Sequence, residues 1–151
     1  MKPFVLARVL QLAQRQIETQ AREVKLAHGI WLRARGRQIR LVALRKAHIE
    51  RLAGELREGV SAQQLQERNR LQNARAVEMR EALGAIDVAY ENWQARLAEW
   101  MQVEKRVKAL RLLEERYTAQ LAVQNKRIEQ RQHDELVEHM HSRAAGGRRG
   151  H

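Results

Sequence analysis

The side chains best suited to chemistry lie in one short run: His133, Asp134, Glu135, His139 and His141. Imidazoles and carboxylates on a helix can hold a divalent metal ion when the ligands share one face. The helical zinc motif needs two histidines four residues apart. No pair in this run has that spacing, and His133 and His139, six apart, fall on different faces. Glu135 and His139 are four apart, but two ligands make a poor site. The run therefore reads as a polar helix end, and no metal is expected. Cysteine is absent, which removes thiolate ligands, disulfides and a thiol nucleophile. The eight glycines are scattered or lie in the last residues, so no phosphate-cradling loop is present. No catalytic residue and no cofactor are expected, and an enzyme is not.

The elements that carry these residues follow from composition. The 151 residues are 44% hydrophobic but only 4% aromatic, with one proline, Pro3. Ala, Leu, Arg, Gln and Glu are all strong helix formers. Nothing after Pro3 forbids very long helices. No apolar stretch approaches the 18 residues of a membrane span. The N-terminal Met-Lys-Pro-Phe-Val-Leu runs at once into Arg8, so it is not expected to be a secretory signal.

One break interrupts the helical pattern. Gly59 suits the left-handed residue that ends a helix. Ser61 offers an N-cap, and Gln64, three residues on, completes a capping box. The expectation is an all-α, long antiparallel two-helix coiled-coil hairpin forming a single domain over residues 1–143. Its helix 1 is about 3–57, its turn about 58–61 and its helix 2 about 62–142, with 144–151 a disordered tail. Helix 2 is the longer, so about its last 25 residues should project as a free C-terminal end.

The heptad seam is read through the large apolar residues. In helix 2 these are Met79, Leu83, Ile86, Tyr90, Trp93, Leu97 and Trp100. Val103 follows three residues later, a stammer, and then come Val107, Leu110, Tyr117, Leu121 and Ile128. Helix 1 shows Leu6, Leu10, Ala13, Ile17, Val24, Ala27 and Trp31. The register is expected to slip near Gly36, giving Ile39, Val42, Ile49 and Leu56. The Trp and Tyr residues are expected on the seam as core.

Two surfaces remain. Residues whose numbers sum to about 118 should face each other. Leu41, Leu44, His48 and Leu71 then cluster off the seam on one flank near the turn, beside Arg37, Arg40 and Arg45. Such a stripe fits helix docking, or merely broadens the apolar face of the coil; a seam that took in Leu41 would remove the idea. The formal charge of +11 is uneven: residues 1–57 hold 13 bases and 4 acids. No acid lies between Glu23 and Glu50. That block either attracts an acidic partner or is a solvated face.

The residues Asn92-Trp93 through Trp100, then Leu113-Glu114-Glu115-Arg116-Tyr117-Thr118-Ala119, are the first part of a longer pattern. They are followed by Asn125-Lys126-Arg127-x-x-Gln130-x-x-x-Asp134-Glu135. Together they resemble the C-terminal half of FliJ, the small coiled-coil component of the flagellar type III export apparatus. The Gly59-Val60 turn and the length extend the resemblance over nearly the whole chain. It implies a protein similar to the stalk subunit of rotary ATP synthases. Such a protein binds the hexameric export ATPase FliI and supports its assembly. The implied partners also include the export gate protein FlhA, export chaperones and the ATPase regulator FliH. The implied location is cytoplasmic, peripheral at the inner face of the cell membrane through partners.

By position, the family's gate-binding surface falls on Leu41, Leu44, His48 and Leu71, where some members carry aromatics. The resemblance assigns the ATPase-binding end to Arg116, Asn125, Arg127, Gln130, Asp134 and Glu135. The alternative for these six is a solvated helix with local pairs; Arg131 and Glu135 fit it, whereas Arg127, with Arg131 four residues on, does not. A YscO-type injectisome stalk would have the same hairpin and other partners. A basic nucleic-acid-binding coiled coil would use Arg33, Arg37 and Arg40 on one face. No nucleic acid is expected, because Arg35, Arg45 and Lys46 point elsewhere and no aromatics interleave.

Overall fold

The computed structural model describes residues 3–149. Two helices account for nearly all of it: α1, Ala7–Glu58, and α2, Ala62–Arg149. They pack against each other as an all-α hairpin. α1 starts about one turn later than the expected Pro3, after a turn in which the Ala7 N–H donates to the Phe4 carbonyl at 3.1 Å. At the other end, α2 runs past Ser142 to Arg149 instead of stopping where a tail was expected. The residues concerned explain this: Ala144 and Ala145 favour helix, and Gly146 and Gly147 cost only about 1 kcal/mol each without blocking the ladder. The rest of the expected tail, Gly150 and His151, lies outside the described residues.

The turn is built by the residues that announced it. Gly59 has φ 95°, a left-handed conformation that costs an L side chain strain. Its N–H donates to the Glu55 carbonyl at 3.1 Å, closing α1 in an αL cap. Both bonds of the capping box form. The Gln64 N–H donates to Ser61 Oγ at 3.2 Å, and the Ser61 N–H to Gln64 Oε1 at 3.3 Å.

The chain divides into two compact units, Arg15–Glu104 and Met1–Gln14 with Lys105–His151. In the first, α1 and α2 pair antiparallel: Glu55 with Arg68, Arg37 with Glu78 and Glu23 with Arg96. Opposed seam positions have numbers adding to about 120, close to the expected register.

The seam itself differs from the expected one. In the Arg15–Glu104 unit, α2 turns Met79, Ala82, Ile86, Ala89, Trp93, Arg96, Trp100 and Val103 inward, alternating by three and four with no stammer. Ala82 is 1% exposed, whereas Leu83 and Tyr90, expected inside, are 45% and 47% exposed. On α1 there is no slip at Gly36. Ala27, Trp31, Ala34, Gln38, Leu41, His48 and Leu52 carry the same heptad on. Ile39, Val42, Ile49 and Leu56 are instead exposed.

The physical reason is size matching. The register sets Ala27 opposite Trp93 and Ala89 opposite Trp31, so each indole faces a methyl and the helices can approach. Trp31 and Trp93 then stack at 5.1 Å, with His28 at 4.6 Å from Trp93 and Tyr90 edge-on to it from the flank. Arg35 lies 5.0 Å over the Trp31 ring. In the second unit, Leu10, Ala13, Val107 and Leu110 are buried, and Phe4 packs on Tyr117 at 5.6 Å.

Candidate functional site

The first candidate surface lies near the turn, within the Arg15–Glu104 unit. Leu41 and His48 occupy seam positions and are half-buried, while Leu44 and Leu71 are exposed. The expectation that all four sit off the seam is thus corrected for Leu41 and His48, because the heptad does not slip at Gly36. The four still share one side of the hairpin. Arg37 and Leu44 are one heptad apart on α1, Leu71 and Glu78 one heptad apart on α2, and Arg37 pairs with Glu78 at 3.7 Å.

Two adjoining clefts gather these residues. One is lined by Leu41, Leu44, Arg45, Arg75, Glu78 and Met79. Next to it, a cleft of 170 Å³ includes His48, Arg51, Arg68, Leu71 and Arg75. Arg75 lines both. The clefts exist because the seam turns polar here: Arg45 is placed against Arg75, His48 against Gln72 and Leu52 against Arg68. Long polar side chains fill a two-helix seam less completely than Leu or Ala do.

This polar segment is what a search for large apolar residues misses. The exposed stripe Ile39, Val42, Ile49 and Leu56, expected in the seam, is a second apolar surface of α1.

The second candidate surface is in the unit formed by Met1–Gln14 and Lys105–His151. Tyr117 and Leu121 are half-buried, Asn125 is the last half-buried residue, and from Lys126 to Gly147 every residue is exposed. The projecting helix end expected from the lengths is therefore present. Arg127, Gln130, Asp134 and Glu135 are exposed on it, while Arg116 is exposed beside Tyr117 on the packed stretch before it. None of the six expected ATPase-binding residues is in an ion pair among the described residues. Apolar side chains accompany them: Ile128, Leu136 and Met140 are each more than half exposed.

Among the described residues, no group of three or more His, Asp or Glu side chains converges to hold a metal ion. None of the helices is long and apolar enough to cross a membrane, among the described residues.

Comparison with known proteins gives one result. A family model described as Flagellar FliJ protein matches residues 1–146. No curated protein and no solved structure matches the chain.

Proposed function

Because the chain belongs to the flagellar FliJ family, and so is a flagellar export-associated protein, we propose that it acts as the stalk-like adaptor of the export apparatus. In this reading it binds the hexameric ATPase FliI and promotes ring assembly. It also links the ring to the gate protein FlhA and to substrate chaperones. It works at the cytoplasmic face of the membrane through its partners, with FliH a further contact.

The observation that carries this reading is the run of 22 residues from Lys126 to Gly147, exposed throughout. A single helix of that length leaves both its apolar and its charged side chains open to a partner. Arg127, Gln130, Asp134 and Glu135 on this run, with Arg116 and Asn125 just before it, are the proposed ATPase contacts.

Leu44 and Leu71 are the proposed gate contacts, with Leu41 and His48 forming the floor behind them. A second surface is favoured by a separate observation, since Ile39, Val42, Ile49 and Leu56 are all exposed, whereas on that flank only Leu44 and Leu71 are. These four follow a heptad and suit a partner helix, and the acid-free block around them suits an acidic one.

The test is to mix the protein with its cognate export ATPase and measure hydrolysis and ring assembly. Both should rise; no change in either refutes the stalk reading. For the gate, Leu44→Asp and Leu71→Asp should weaken affinity for the FlhA cytoplasmic domain at least tenfold. Loss on Ile49→Asp alone would move the contact to the second surface.

A further inference from the structure

We propose that the cleft beside the hairpin turn is a binding site for a free tetrahedral oxyanion, phosphate or sulfate. Its walls bring together Arg51 of α1 and Arg68, Gln72 and Arg75 of α2, with His48 and Glu55 completing the rim. Three guanidiniums and one carboxylate leave a formal surplus of two positive charges there. Guanidinium stays protonated at any ordinary pH, so the surplus cannot be relieved by losing a proton.

The carboxylate is already committed. Glu55 Oε2 lies 2.7 Å from Arg68 Nε, so it neutralises that group through one edge only. The Arg68 side chain is still 32% exposed, so part of it stays open to the cleft. Arg51 and Arg75 carry no ion pair among the described residues, and guanidinium forks match the oxygens of a phosphate. Arg45 adds to the field, since it lines the adjoining cleft together with Arg75. The 170 Å³ of the cleft leave room for an anion of this size with some of its water.

An anion here would join α1 to α2 where the seam is most polar. It would offset the charge that Arg51, Arg68 and Arg75 bring to one cleft. Leu71 also lines this cleft, so an occupied site would stiffen one edge of the proposed gate surface. The site does not depend on which partner docks there.

Inorganic phosphate titrated into the full-length protein at fixed pH and ionic strength, followed by amide chemical shifts, tests this. Saturable shifts should appear at residues 48–55 and 68–75, and sulfate should reproduce them. Arg51→Gln and Arg75→Gln should each weaken binding about tenfold while keeping the Glu55–Arg68 pair. Arg111→Gln, with the same loss of charge elsewhere, should leave it unchanged. Shifts that are absent, that are spread over all basic residues, or that fall equally with Arg111→Gln overturn the site. Acetate binding as tightly as phosphate overturns its preference for a tetrahedral anion.

Discussion

Exchanging sizes at two neighbouring positions of α2 tests which residue faces α1. Ala82 is 1% exposed, and the register sets Gln38 opposite it, so a leucine there has no space to enter. Ala82→Leu should cost about 1–3 kcal/mol, the range for overpacking a closed core. Leu83 is 45% exposed, so Leu83→Ala loses only about half of a leucine's transfer energy and opens no closed cavity. Its cost should be about 1 kcal/mol.

If Leu83 were the seam residue, the order would reverse. Leu83→Ala would then cost about 2–5 kcal/mol. Ala82→Leu would be a surface change within about 0.5 kcal/mol. Urea unfolding followed by circular dichroism at 222 nm separates the two, provided the m-value is unchanged. A chain this size should lose about 3 °C in Tm per kcal/mol. Leu83→Ala proving the more damaging variant would refute the alanine seam and restore the stammer.

Other consequences are open to similar tests. Gly59→Ala and Gly54→Ala should change stability in opposite directions although nothing lies within 4 Å of either added Cβ. Gly59 has positive φ and should lose about 1 kcal/mol. Gly54, inside α1, should gain up to about 1 kcal/mol, as thermal unfolding would show. The side chains of Gln20 and Trp100 each hold a buried polar atom without a partner among the described residues, so Gln20→Leu should raise stability by about 1 kcal/mol in the same assay. Arg127→Glu, on an exposed helix end, should leave unfolding within about 0.5 kcal/mol of the parent yet reduce stimulation of the ATPase; unchanged stimulation would remove Arg127 from the contact.

The fold was legible because its signals are local. A single proline, abundant helix formers and the Gly59–Ser61–Gln64 pattern specify two long helices and their junction through backbone and capping chemistry alone. The unequal lengths of the helices then specify a projecting end. The resemblance to FliJ was legible for a related reason: its motifs are runs along α2, most of them exposed, and they survive without any knowledge of packing.

Which heptad stripe becomes the seam is not a local property. α1 carries two stripes near the turn, and the more apolar one, Ile39, Val42, Ile49 and Leu56, stays outside. Taken alone, either helix favours its largest apolar residues. Together they favour the face on which alanines let the backbones approach and each tryptophan meets a small partner. The same pairing brings Arg51, Arg68 and Arg75, far apart in sequence, around one cleft. The sequence by itself determined two helices, their turn and the free end. Only the tertiary pairing decided which side chains are buried and which charges must share a space, because both depend on what stands opposite.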